Sequence, residues 1–328
     1  MKNRSVVLYV CFVLAFSFVC QAVFAQDQFI NCRKFAAGIR ITIDGDSSDW
    51  PLSSYGLPAE LPDIDPAEQF SDASATINAL DQVPLRTGDH FVFDGNKALI
   101  NAGSGERSFE ADGDGDFAAT TYIAWDDTGM CVLNVVRDSK IGWFHGLNAT
   151  RDANNQPAYT SDGIELWFDN DNDRLPPNIQ NDTSSQFDLQ LDISIDDALI
   201  REEFGQEPIM ANGLKLEIAI FRSALNTDNE AETAILNQIL HAVAFDNPNP
   251  DQRTGYTQEI FIPFGTFPSF DAAAPIGFNV NWMDWDDEQF MLCRWHQANE
   301  SEVQYFREMR FTSNNPLGGT RIYNWSLF

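Results

Sequence analysis

Thr120-Thr121-Tyr122-Ile123-Ala124-Trp125 and Met130-Cys131-Val132-Leu133-Asn134-Val135-Val136 are two β-rich runs split by Asp126-Asp127-Thr128-Gly129. β-branched and aromatic residues fill the runs, and acid-rich turn chemistry ending in Gly separates them, so the stretch reads as a β-hairpin. The pattern continues outward. Ile164-Glu165-Leu166-Trp167-Phe168 reads as a strand, as do Leu214–Phe221, Ala242–Phe245, Tyr256–Ile262, Phe278–Trp282 and Gln289–Trp295. In Phe187–Ile195 the residues Phe187, Leu189, Leu191, Ile193 and Ile195 share one face by strict alternation. Gly38–Ile43 alternates too and stops at Asp44-Gly45-Asp46. One stretch, Glu230–His241, spaces Ile235, Leu236, Ile239 and Leu240 as a helix would. Residues 51–75 read as loop and 83–116 as an irregular insertion. Many short strands with turn signals and few helices predict an all-β sandwich, and no repeat or linker divides it.

The 328 residues carry 20 Lys+Arg against 49 Asp+Glu, a formal net charge of −29. That balance repels nucleic-acid phosphates and anionic membrane surfaces and leaves neutral ligands and cations as partners. Lys2 and Arg4 precede an apolar run from Ser5 that ends Ala22-Val23-Phe24-Ala25. A basic start, an apolar stretch and small residues at the cut form a secretory signal. The reading is therefore a signal peptide over 1–25 and one domain over 26–328, exported to the periplasm or beyond, with no transmembrane span after cleavage. An uncleaved anchor is the alternative, because the run approaches the ~20 residues that span a bilayer. Cys32, Cys131 and Cys293 remain after cleavage: at most one bridge, and no zinc spacing.

Six pieces of the chain, in one order, resemble family 9 carbohydrate-binding modules and their relatives in the DOMON-like group. They are Ile43-Asp44-Gly45-Asp46-Ser47-Ser48-Asp49-Trp50; Asp116-Phe117-Ala118-Ala119 with the Tyr122–Gly129 hairpin; Val135-Val136-Arg137-Asp138; Ser161-Asp162-Gly163-Ile164-Glu165-Leu166-Trp167-Phe168-Asp169; Gly255–Pro263; and Ile276–Asn281 with Asp284, Asp286 and Asp287. The resemblance spans residues 39–295. It implies an immunoglobulin-like or jelly-roll-like β-sandwich that binds sugar and calcium. Such modules sit beside glycoside hydrolase domains, and this chain carries no such domain.

The acids support calcium without the family. Asp112, Asp114 and Asp116 alternate, as do Asp169, Asp171 and Asp173. Alternate carboxylates in a tight loop converge on one point, and calcium takes six to eight oxygens. Asp162 and Glu165 flank the start of a strand and join a metal site, or bond sugar hydroxyls, if they face one side. Solvated acidic loops are the competing reading.

For a sugar, the pattern needed is an aromatic face for the ring's C–H patch and polar groups for its hydroxyls. Trp143 and Trp285 lie in polar stretches and are the candidate stacking residues; Arg137, His145, Arg294 and His296 are the candidate polar rim. The expected partner is a neutral poly- or oligosaccharide. Three other classes stay open. A glycoside hydrolase would use a carboxylate pair ~5–10 Å apart. A DOMON-like haem protein would use a Met and a His. An adhesion module would need neither. The sequence carries no Gly-x-Ser-x-Gly elbow, phosphate loop or His-Glu-x-x-His.

Overall fold

The computed structural model describes residues 29–56, 59–60, 88–94, 117–142, 162–170, 172, 188–195, 198–199, 201–202, 218–221, 237–266, 270–286, 289–294 and 307–319. Thirteen strands lie within them: β1 (Phe29–Phe35), β2 (Ala59–Glu60), β3 (His90–Asp94), β4 (Phe117–Trp125), β5 (Gly129–Asp138), β6 (Gly163–Asp169), β7 (Asp188–Ser194), β8 (Ile218–Phe221), β9 (Leu240–Phe245), β10 (Gly255–Pro263), β11 (Ile276–Asp286), β12 (Gln289–Arg294) and β13 (Arg307–Leu317).

They form one hydrogen-bonded path, β8-β7-β6-β11-β13-β1-β4-β5-β10-β9, with β12 on β11 and β3 on β4. The path doubles back on itself. β8, β7, β6, β11 and β12 make one leaf; β3, β4, β5, β10 and β9 make the other. The corner is β13 and β1, where β1 runs parallel to both β13 and β4. Across the gap, the Phe91 ring lies 6.0 Å from Phe278 and 6.5 Å from Trp282. Trp282 Nε1 donates to Thr121 Oγ1 at 2.8 Å, and Gln258 Nε2 to the Ile193 carbonyl at 3.0 Å. The all-β sandwich expected from the sequence is the fold observed.

Alternation explains the core. Phe117, Ala119, Ile123 and Trp125 of β4 face inward and meet Ile164, Leu166 and Phe168 of β6 and Phe278, Val280 and Trp282 of β11 in one buried cluster. A second, smaller cluster covers the outer side of the β4–β5 leaf. There Ala124, Cys131 and Leu133 pack under Phe35, Trp50, Tyr55 and Leu317. Its cover is the segment 36–56, pinned by the buried carboxylate of Glu259. That group accepts from Asp44 N at 2.9 Å, Gly45 N at 2.7 Å and Trp50 Nε1 at 2.7 Å.

Three expectations change. Gly38–Ile43 alternates but joins no ladder: Ile39 and Ile41 pack on the second cluster, so the period reports a covered face. Leu240 and His241 open strand β9, not the end of a helix, because β10 pairs with every residue from 240 to 245. The rest of the proposed helix, up to 236, lies outside the described residues. The insertion at 83–116 contains β3, paired antiparallel to β4. The three-cysteine count resolves in part: Cys32 and Cys131 are buried free thiols, and burial raises the pKa of each.

Candidate ligand face and cation site

The outer face of the β6–β7–β11 leaf is polar. Along β6, Ile164, Leu166 and Phe168 point into the core, which turns Glu165 and Trp167 to the other side. Register then builds two cross-strand rows. Asp192, Glu165 and Asn281 lie side by side on β7, β6 and β11, and Gln190, Trp167 and Asn279 form the next row. All six are under 8% exposed. They are already tied together: Asn281 Nδ2 donates to Glu165 Oε2 at 2.6 Å, Trp167 Nε1 to the same oxygen at 3.2 Å, and Gln190 Nε2 to Asp192 Oδ1 at 2.9 Å. Arg294 of β12 pairs in register with Asn281, and Trp285 with Phe290 at the far end of the same hairpin. Two carboxylates, three amides and an indole on one rigid sheet face are the groups that bond sugar hydroxyls and cover a ring's apolar side.

The inner edge of the same leaf carries a different cluster. Asp138 at the end of β5, Asp162 just before β6, and Asp284 of β11 each place a carboxylate oxygen within 4.8 Å of the others. The three are 1%, 0% and 3% exposed. Alternation puts them there: Asp138 continues the inward series Val132, Asn134, Val136, and Asp284 follows Val280 and Trp282. Gly163 brings β6 so close to β7 that a Cβ would lie 2.3 Å from the Ile193 carbonyl oxygen. Main-chain donors hold two of the acids, with Lys140 N on Asp138 at 2.7 Å and Gly142 N on Asp162 at 2.9 Å. Tyr256 of β10, 2% exposed, stands beside them. Burial first, then the charges of Asp162, Asp138 and Asp284, push its phenol well above the ordinary value. The three carboxylates offer an all-oxygen donor set of the kind calcium takes.

The structure separates Asp162 from Glu165, because positions of opposite parity on one strand face opposite sides. Asp162 joins the acid cluster and Glu165 the polar face. Asp169 lies at the other end of β6, fully buried, with Asp171 and Asp173 outside the described residues. Arg137 is exposed on the outer side of the other leaf, beside Ala118 and Gly255. Trp143, His145, His296, Asp112, Asp114 and Asp116 lie outside the described residues, as do the side chains of Trp285 and Arg294. Sequence reasoning did not select Asp138, Asp284 or Tyr256 as ligands, nor Gln190, Asp192, Trp167, Asn279 or Asn281 for the face. The alternation of Phe187–Ile195 held the signal for two of these: its polar positions include Gln190 and Asp192.

No protein-family model and no curated protein matches the chain. Among solved structures, the chain is similar to a family 9 carbohydrate-binding module from Caldicellulosiruptor kristjanssonii in complex with cellotriose. Identity is 14% and the TM-score 0.45, over 89% of this chain and 99% of that one. The same module in complex with glucose matches at 14% identity and a TM-score of 0.45, over 87% and 96% of the two chains. A Bacteroides uniformis protein, provisionally named as carbohydrate-binding, matches at 6% identity and a TM-score of 0.37, over 87% and 99%.

Proposed function

We propose that the chain is an exported, non-catalytic carbohydrate-binding protein stabilised by calcium. The observation that carries the reading is the outer face of the β6–β7–β11 leaf. There Glu165, Asp192, Gln190, Asn279 and Asn281 surround Trp167 on rigid strands. Carboxylates and amides accept and donate to hydroxyls in pairs, and a strand-borne indole is held in place for stacking. Trp285, Arg294, Trp143, His145 and His296 remain proposed ligand residues on the strength of the sequence alone.

A neutral oligosaccharide suits the face, because a uronic or sulfated polymer would meet a chain of formal charge −29. The bound glucose and cellotriose of the similar module are ligands of this class. Calcium is supported by the donor chemistry at Asp138, Asp162 and Asp284, and export by the basic, apolar, Ala-x-x-Ala start of the sequence.

Pull-down on insoluble neutral polysaccharides tests the function. Wild-type protein should be retained. Asn281→Ala and Trp285→Ala should each weaken retention while circular dichroism stays unchanged. Protein that passes through every polysaccharide in the panel contradicts the proposal, and release of reducing sugar converts it into a hydrolase.

A further inference from the structure

We infer that Glu259 of β10 and Asp49 of the covering segment share one proton, and that this proton latches the 39–52 stretch of the cover onto the β4–β5 leaf. Neither the polar face of the other leaf nor the acid cluster at its inner edge takes part.

The cover is fastened at its ends and latched in its middle. At one end, Ala36 N donates to the Leu317 carbonyl at 2.8 Å. At the other, Arg33 Nη1 donates to the Ser54 carbonyl, Gly56 N to Asp89 Oδ2 at 2.9 Å and Gly318 N to Ser54 Oγ at 3.1 Å. Among the described residues, the stretch 39–52 bonds to the leaf only through Glu259. Asp44 N and Gly45 N donate to Oε2, and Trp50 Nε1 to Oε1. The stretch is also braced within itself. Thr42 N donates to Asp49 Oδ2 at 2.7 Å, Asp46 N to Asp44 Oδ1 at 2.9 Å and Ser48 N to Asp46 Oδ1 at 2.9 Å. It therefore moves as a body. Gly38, at φ 95° with open space beside it, gives that body a hinge.

Glu259 is fully buried. Its three donors fill both lone pairs of Oε2 and one of Oε1, which leaves a single position on Oε1. Asp49 supplies the counterpart: its Oδ1 is buried with no hydrogen-bond partner among the described residues. Two buried carboxylates cannot both ionise without mutual cost, and one proton between them satisfies both positions. The groups facing the pair are Asp44 from the cover, Cys131 from β5 and Asp126 from the β4–β5 turn, none of them a cation; β9 sets Ala242 opposite Glu259. Burial first, and then repulsion from Asp49, raise Glu259 above the ordinary carboxyl range, against the bonds from Asp44, Trp50 and Gly45. Opening the cover returns Glu259 to water and to its ordinary value of about 4.3. Between that pH and the raised value, each opening releases one proton to solvent. The open form should therefore gain up to about tenfold per pH unit across this window and level off above it. The far end does not follow. Burial would raise Asp89, but the bonds from His90, Gly56 and Arg33 hold it lowered and ionised throughout the window. The stretch thus swings between pinned ends and uncovers Cys131 and Leu133.

The test is hydrogen–deuterium exchange of the full-length protein, followed on peptides of the cover and corrected for intrinsic exchange, over a pH series that starts near Glu259's ordinary value. In wild type, opening of 39–52 should rise with pH and then level off, while β5, β10 and the pinned residues 53–56 stay unchanged. Asp49→Asn keeps an oxygen for the Thr42 amide and turns an N–H toward Glu259. It should open severalfold less often than wild type above the window, the reverse of what loss of a packing residue does. Glu259→Gln has no proton to release, so its opening should not vary with pH. Infrared spectra report the proton directly: a protonated-carboxyl band present in wild type within the window should be missing from Glu259→Gln. Overturning results are a wild-type cover whose opening is flat or falls as pH rises, an Asp49→Asn that opens as often as wild type or more often, or a Glu259→Gln that keeps the wild-type slope. No sugar or metal enters these readouts, so the latch and the proposed function fail separately.

Discussion

Two buried carboxylates of the β4–β5 leaf show how residue environment sets charge. Asp89 accepts from Arg33 Nη1 at 2.9 Å and from Gly56 N at 2.9 Å, and His90 Nδ1 lies 3.1 Å away. Burial alone would raise its pKa; the hydrogen bonds from His90, Gly56 and Arg33 outweigh burial and hold it below the ordinary value. Glu259 goes the other way. Burial raises it, the bonds from Asp44, Trp50 and Gly45 offset this only in part, and Asp49 adds repulsion. A lowered carboxyl stabilises the fold above its unfolded pKa of about 3.9 and ceases to do so as pH falls through the folded value. The stability gap between wild type and Asp89→Asn, measured by urea unfolding, should therefore narrow below about pH 3.9. A raised carboxyl gives the opposite slope: the Glu259 contribution declines as pH rises from about 4.3 through its folded value. Trp50→Phe keeps the ring's packing on Phe35 but removes a donor to that buried carboxylate. It should cost about 1–3 kcal/mol in the same assay.

At the scale of elements, the strands with clean alternation were legible in the sequence: β4, β5, β6, β7, β10 and most of β11. β1 and β13 were not. Phe29–Phe35 carries Asn31, Arg33 and Lys34 among its apolar residues, and Arg307–Leu317 is mostly polar, so neither shows a clear apolar period in the sequence. Gly38–Ile43 misled for the converse reason, since its apolar period serves packing against another leaf's outer side. Within the site, Asp162 and Glu165 were found by type, but the parity of strand positions was needed to assign them to different faces. Asp138, Asp284 and Tyr256 meet only through tertiary packing of strands far apart in sequence. Gly163 connects strand geometry to site geometry. Gly163→Ala sets a methyl against main-chain atoms of Ile193 and Ser194 that cannot yield. It should destabilise by roughly 1–3 kcal/mol and lower calcium affinity by displacing Asp162, both measurable on one preparation by urea titration and calorimetry.

The whole molecule is an acidic sandwich whose two outer sides differ. One is covered by the 36–56 segment over an apolar patch; the other carries buried carboxylates, amides and an indole. Formal charge far from zero works against compactness, and the proposed calcium would offset it. Chelation should lower the melting temperature and calcium restore it, by about 2.7 kcal/mol of linkage when the ion is at a hundredfold excess over its dissociation constant. Binding of a neutral sugar to the Glu165–Trp167–Asn281 face is the central claim. Titration calorimetry of the calcium-loaded protein against a panel of soluble neutral oligosaccharides tests it directly. The account predicts saturable binding to at least one of them that Glu165→Gln weakens at least tenfold. No heat with any sugar, or binding that Glu165→Gln and Asn281→Ala leave untouched, would contradict it.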